Sequence, residues 1–270
     1  MPGRLPAGGN RTRGRTAGAG DQHGCDCYAA LESGKNVFVE KPLALTIEEV
    51  DAIEIAYRKA EVMPWRPRLM VGFNRRFAPH VVKMRALLGA VREPKSFILT
   101  MNSGAIPADH WTQDIAVGGG RIVGEACHYI DLMRFLAGAP ITSVFARRMS
   151  GAPGVVVSED IAVIVLGFAD GSFGTVHYLA NGARDFPKER IEVFCGGRVL
   201  QIDNFRSLTG YGWPGFRRMR GWTQDKGQDA CAAAFLHAIT RGEPSPIPPQ
   251  QIFEVARASI EAARLLRVQQ

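Results

Sequence analysis

Gly34-Lys35-Asn36-Val37-Phe38-Val39-Glu40-Lys41-Pro42-Leu43-Ala44 runs from a helix end through a short apolar strand to a proline stop. Just before it, residues 29–33 read as the last turn of a helix. Gly34 is the residue type that closes a helix in the left-handed conformation at least cost. Val37-Phe38-Val39 is a β-branched and aromatic run of the kind buried in a parallel sheet. Pro42, with no N–H to give a ladder, must end it. Thr46 then caps a second helix, with Glu49 completing a capping box and Val50, Ile53 and Ala56 or Tyr57 supplying an apolar face. Residues 68–73 (RLMVGF) read as another short buried strand. Helix, strand, helix, strand in this order specifies a parallel βαβ arrangement.

After Phe77 the pattern changes. Residues 79–89 read as a helix, 95–102 as a strand, and 118–137 as a triple glycine followed by an amphipathic helix ending at Gly138. From 141 to 211 the chain is a series of β runs at 155–168, 173–179, 190–194 and 198–203, with Asp170-Gly171 and Gly196-Gly197 as hairpin signals. Two helices, about 225–241 and 249–267, close the chain, separated by a stiff proline-rich linker with Pro249 at the start of the last helix. The expected fold is α/β plus α+β. A partial Rossmann-like dinucleotide-binding half (25–76) precedes a C-terminal domain with a large, mostly antiparallel open sheet (77–248). A last helix (249–270) returns to the first domain.

At 270 residues and 46% hydrophobic content the chain can bury a sizeable core. The formal charge of +7 is concentrated at the start, where Arg4, Arg11, Arg13 and Arg15 precede the first acid, Asp21; without them +3 remains. Elsewhere the basic residues are dispersed and not interleaved with aromatics, so no nucleic-acid partner is expected. Cys25, Cys27, Cys127, Cys195 and Cys231 have no recurring spacing, so neither a disulfide framework nor a zinc ribbon is encoded and no metal is expected. They read as reduced thiols of a cytoplasmic protein. No run of about 18 apolar residues exists to span a membrane, and no apolar stretch follows the first arginines as in a secretory signal. Residues 1–24, almost without large apolar side chains, read as disordered or mis-assigned.

The stretch 34–44 resembles the signature of the Gfo/Idh/MocA family of oxidoreductases, the relatives of glucose-fructose oxidoreductase and inositol dehydrogenase. Gly118-Gly119-Gly120-Arg121-Ile122-Val123-Gly124-Glu125-Ala126-Cys127-His128-Tyr129-Ile130-Asp131-Leu132 is similar to that family's glycine-rich turn and catalytic helix. Val71-Gly72-Phe73-Asn74-Arg75-Arg76-Phe77 is a third match. Asp225-Lys226-Gly227-Gln228 to Phe235 resembles the start of the C-terminal helix in a subgroup acting on nucleotide-sugar or related polyol substrates. In order and spacing these matches cover about residues 28–267. The resemblance implies hydride transfer between a sugar, nucleotide-sugar or polyol hydroxyl and a nicotinamide cofactor, NAD or NADP. The exposed face of the open sheet is expected to assemble a homo-oligomer.

It also implies roles for residues. Lys41, at a strand's carboxyl end, is expected to stabilise alkoxide charge and to orient cofactor and substrate. His128 is expected to accept the hydroxyl proton, since an unperturbed imidazole titrates at about 6.5. On a helix Glu125, His128 and Asp131 share one broad face, so both carboxylates are expected to orient and tune the imidazole. The family pattern has an Asp four residues before this His; Gly124 stands there, with Glu125 as an approximate substitute. Glu40, Lys41, Pro42, Asn74 and Arg75 are expected at the cofactor. Arg76 reads equally well as a surface charge, and His110, Trp111 and His177 as sugar contacts or structural groups.

A Rossmann domain binds pyrophosphate on a glycine-rich turn between a strand and a helix. Gly18-Ala19-Gly20 has no buried strand before it, so the chain reads as truncated or frame-shifted upstream of about residue 21. Three functions stay open: an NAD(P)-dependent dehydrogenase in its full-length form, a non-catalytic remnant or scaffold, and a lyase or epimerase-like relative with tightly bound NAD.

Overall fold

Helix α1 (Ala19–Glu32) hands the chain to strand β1 (Val37–Val39) through Gly34, which takes φ +70. The Lys35 N–H reaches the Ala30 carbonyl and the Gly34 N–H reaches Leu31, both at 2.9 Å, which is the glycine-closed helix end that the sequence predicts. The computed structural model describes residues 19–64, 66–151 and 157–268, with side chains from Asp26 on. Because α1 begins at Ala19, the disorder expected up to residue 24 does not extend over residues 19–24; the earlier part lies outside the described residues.

Helix α2 (Ile47–Glu61) opens at Thr46, whose hydroxyl accepts from the Glu49 N–H at 3.2 Å while the Glu49 carboxylate accepts from the Thr46 N–H at 3.1 Å. Val50, Ile53, Ala56 and Tyr57 bury its inner face, as the pattern predicts. Strand β2 (Leu69–Val71) then pairs parallel to β1, with Val37 opposite Leu69 and Val39 opposite Val71. A parallel pair joined by a helix releases both chains at the same edge, and that edge is where α/β sheets present ligands. Glu40, Lys41 and Pro42 leave from β1, and Gly72 to Asn74 from β2.

A 3-10 turn (Asn74–Phe77) and helix α3 (Pro79–Leu88) lead into an eight-stranded sheet. Its strands are β3 (Ser96–Asn102), β4 (Ile141–Arg148), β5 (Ile161–Phe168), β6 (Phe173–Leu179), β7 (Glu189–Cys195), β8 (Arg198–Asp203), β9 (Ser207–Tyr211) and β10 (Arg218–Arg220), in the order β10-β9-β8-β7-β3-β6-β5-β4. All its neighbours are antiparallel except β3 and β6, which run parallel with Ser96 opposite Phe173. Side chains alternate across a strand, so the two faces differ. Phe97, Leu99, Val176, Tyr178, Ile191 and Val193 are buried, whereas Ile98, Phe145, Phe173 and Phe194 stand exposed on the open face.

The amphipathic helix expected after the triple glycine forms, with a π-helical turn inside it. A one-turn helix α4 (Ile115–Gly118) stops at Gly119 and Gly120, which take φ +71 and +77, and Ile122–Ala126 then winds as π-helix before α5 (Cys127–Ala137). Gly138, at φ +75, ends α5 where the sequence places the stop. Helices α6 (Gln228–Arg241) and α7 (Pro249–Arg267) follow. α7 packs against α2, α5, β2 and β4. Its Arg257 binds Asp51 and Glu54 of α2 at 2.6 and 2.5 Å, and its Glu254 holds Arg134 of α5 at 2.9 Å.

His80 in α3 is 2% exposed, and neither ring nitrogen has a hydrogen-bond partner among the described residues. Burial holds its pKa below the ordinary value, against the attraction of Asp225. The folded protein therefore keeps His80 neutral while the unfolded chain takes up a proton, and stability is lost as pH falls below about 6.5. Melting temperature measured from about pH 7.5 to about pH 5.5 should fall less steeply in His80→Leu than in the natural protein. Equal slopes would show that His80 does not titrate in that window.

Candidate active site

Two neighbouring cavities form where β1 and β2 end. The larger, about 410 Å³, is lined by Glu40, Gly72, Asn74, Arg75 and His128, with Lys226, Gln228 and Cys231 from the other side. The smaller, about 200 Å³, is lined by Lys41, Pro42, Leu45, Trp111, Arg121, Gly124 and Glu125. The expected cofactor residues thus divide between the two, with Lys41 and Pro42 in one and Glu40, Asn74 and Arg75 in the other.

Lys41 donates from Nζ to the Gly124 carbonyl at 2.7 Å. At the position where an aspartate is expected, the chain therefore offers Lys41 a main-chain oxygen. Space is tight there, since a Cβ on Gly124 would lie 3.2 Å from the Gly118 carbonyl. Lys41 is joined to Pro42 by a cis peptide bond. Glu40 lies against Gly72, where any Cβ would come 3.1 Å from its carboxylate, so the glycine is what leaves that acid its place.

His128 sits in the first turn of α5, 8% exposed, with Nδ1 unpartnered among the described residues and the Phe73 ring edge-on at 6.2 Å. Burial, then Arg75, Lys41 and Lys226, push its pKa well below 6.5. The imidazole is neutral, and its surroundings are cationic.

The expectation that Glu125 and Asp131 tune this imidazole is not met. Glu125 lies in the π-helical segment, whose wider winding rotates it off the α-helical face. Its carboxylate accepts from the Tyr178 hydroxyl, and from Arg121 at 3.4 Å. Burial would raise its pKa, but Tyr178, Arg121 and Lys41 together bring it below the ordinary value. Asp131 is completely buried and takes Arg76 Nε on both carboxylate oxygens at 2.8 Å, away from either cavity. Arg76 is correspondingly a core residue, 4% exposed, which also donates to Gln251 of α7 at 2.6 Å, and is no surface charge.

Two residues escaped the sequence reading of the site's chemistry. Glu189, wholly buried at the start of β7, accepts from Arg75 Nε and Nη2 at 3.2 and 3.1 Å and from Lys226 Nζ at 2.6 Å. It fixes two cations in the wall of the larger cavity. Asn74 adds a bond from Nδ2 to the Lys226 carbonyl at 2.7 Å. Lys226 had a signal, the matched stretch from Asp225; Glu189 had none, because one acid at a strand end does not announce its burial. Gly227, at φ +81, lets this segment pass the 3-10 turn, since a Cβ would come 2.5 Å from the Ala78 nitrogen. Trp111 lines the Lys41 cavity, His110 accepts from the Thr112 N–H at 3.3 Å, and His177 lies on the open sheet face, 3.2 Å from the Thr175 hydroxyl.

Gly210-Tyr211-Gly212-Trp213-Pro214-Gly215 has the spacing of a phosphate-binding turn, but it ends β9 and leads to β10, with no helix to receive a phosphate. Among the described residues no glycine-rich turn joins a strand to a helix, and no helix is long and apolar enough to cross a membrane.

A family model described as an oxidoreductase family with an NAD-binding Rossmann fold matches residues 16–66, and one for the GFO/IDH/MocA C-terminal domain matches residues 84–199. A myo-inositol 2-dehydrogenase of Thermotoga maritima is 31% identical over 191 residues, 67% of this chain and 53% of that protein. A scyllo-inositol 2-dehydrogenase (NAD(+)) of Bacillus subtilis is 35% identical over 162 residues, 57% of this chain and 44% of that protein. The chain thus spans about half the length of the curated relatives it matches. Among solved structures, an oxidoreductase domain protein from Kribbella flavida superposes with TM-score 0.79 at 24% identity, covering 94% of this chain and 78% of that one. A levoglucosan dehydrogenase in complex with NADH and levoglucosan superposes with TM-score 0.74 at 23% identity, covering 92% and 76%. Together the matching family models, the sequence relatives and the shared fold show that the chain belongs to the Gfo/Idh/MocA family of NAD-binding oxidoreductases.

Proposed function

We propose that this fold serves an NAD(P)-dependent dehydrogenase that oxidises a hydroxyl group of a sugar or polyol. The observation that carries the reading is His128: a neutral, nine-tenths buried imidazole facing the cavity where two parallel strands end, with Lys41 one carbonyl away from its helix. When bound, the dinucleotide supplies the hydride acceptor. Glu40, Lys41, Pro42, Asn74 and Arg75 would hold its nicotinamide end, at the strand edge where such ligands sit. His128, whose Nδ1 is buried, takes the substrate's hydroxyl proton at Nε2. Lys41 spends one of its three donors on Gly124 and has two for the developing alkoxide. Glu125 keeps a negative charge near that ammonium, and Asp131 acts on the fold rather than on the chemistry.

The substrate class is supported by the inositol dehydrogenases among the relatives and by the levoglucosan complex among the structures. A homo-oligomer through the open sheet face is part of the same reading, since Phe145, Phe173, Phe194 and Ile98 stand exposed together there. So is a reducing, cytoplasmic setting, in which the buried Cys27, Cys127 and Cys231 thiols, pushed up to about 12 by burial, stay inert. The test is the rate of NADH or NADPH formation with myo-inositol, scyllo-inositol, a panel of aldoses, glucuronate and glucose 6-phosphate. Substrate-dependent reduction of either nucleotide is the expected result. None across the panel would remove the dehydrogenase reading.

A further inference from the structure

The larger cavity is lined by charge of both signs, with Arg75 and Lys226 beside Glu40. Its far wall is the start of α6, a 14-residue helix that follows Gly227 in the left-handed conformation with no side-chain cap. The first main-chain bond of that helix runs from the Cys231 N–H to the Gly227 carbonyl at 2.9 Å, so the N–H groups of Gln228, Asp229 and Ala230 lie ahead of it. These groups carry the positive end of the helix dipole, and Gln228 lines the cavity. Asp225 is engaged locally, accepting the Gly227 N–H at 2.7 Å, and Asp229 is exposed.

Lys226 and Arg75 face the cavity from opposite sides and share a single buried carboxylate, Glu189, so this triad carries one more positive than negative charge. The Lys226 ammonium spends one donor on that carboxylate and has two more. His128 lines the same cavity, nine-tenths buried with Nδ1 unpartnered among the described residues, and Glu40, which also lines it, lies against Gly72. A neutral polyol would leave the surplus cation and the helix end to water. A ligand with an anionic group would meet both with charge-assisted hydrogen bonds and turn a hydroxyl to His128.

We propose that the substrate of this site is an acid: a sugar or polyol bearing a carboxylate or a phosphate ester, whose anionic group sits on Lys226 and the α6 N-terminus while a hydroxyl meets His128. The reaction named here rests on the dehydrogenase reading; the binding does not.

Calorimetric titration of the full 270-residue chain with glucose, glucuronate and glucose 6-phosphate tests it, because the three share a ring and differ in the group at carbon six. At least one charged ligand should bind about tenfold or more tighter than glucose, with the advantage shrinking as salt is added. Which of the two binds separates carboxylate from phosphate. Lys226→Met should bring the charged ligand to the level of glucose, and Lys226→Arg, which keeps the ion pair with Glu189, should retain the preference. Equal affinity for all three, binding by none, or a preference surviving in Lys226→Met would each overturn the proposal. Displacement of the bound acid by NADH would assign the anion site to the dinucleotide and overturn it as well. If acids bind and NADH does not, the dehydrogenase reading fails while this one stands.

Discussion

Asp131→Ala should lower the melting temperature by about 6–20 °C, the largest stability loss expected from any single change in the site region. Asp131 is completely buried and Arg76 almost so, and their contact ties α5 to the turn after β2, with Gln251 bringing in α7. Burial outweighs Arg76 in setting the Asp131 pKa, which stands above the usual carboxylate value. The intact pair is therefore a weak source of net stability, and the cost lies in breaking it by half. An unpaired guanidinium left in the core costs about 3–5 kcal/mol. In a chain of this size each kcal/mol is worth about 2–4 °C. The double change Arg76→Leu with Asp131→Leu should recover much of the loss, because no charge is then left alone. Differential scanning calorimetry decides it: a fall of less than about 2 °C in Asp131→Ala would mean that water reaches Arg76.

The largest effect on turnover should come from His128→Ala and Lys41→Ala, each lowering kcat by about 10²–10⁴-fold while the circular dichroism spectrum is kept. The pH profile adds a sign. A proton acceptor must be neutral, and burial with Arg75, Lys41 and Lys226 disfavours the imidazolium form of His128. Activity should therefore persist as pH falls below about 6.5, where an ordinary imidazole would already be protonated. In Lys41→Ala one of those cations is gone, so the acid limb of the residual activity should move to higher pH. Near-normal turnover in both variants would end the assignment, and an unmoved limb would show that Lys41 does not act on His128.

What could be read from residue order was whatever local chemistry controls. Gly34 and Gly138 stop helices because only left-handed backbone closes them there, and Thr46 with Glu49 starts one because the capping bonds span three residues. Lys41, Pro42, Asn74 and His128 were found through strand ends and a helix face, and all of them line the two cavities. What failed depended on partners far along the chain. The parallel pairing of β3 with β6 joins segments that hairpin signals do not connect. Arg76 and Asp131 are separated by 55 residues and Arg75 and Glu189 by 114, so neither burial had a local signature. The π-helical turn at Ile122–Ala126 broke the three-residue spacing on which the grouping of Glu125 with His128 relied.

Fluorescence titration of NADH and NADPH into the 270-residue chain comes closest to the chemistry. A dehydrogenase site at the ends of β1 and β2 requires saturable, micromolar binding of at least one of the two, weakened in Lys41→Met. The absence of saturable binding by both nucleotides would contradict it.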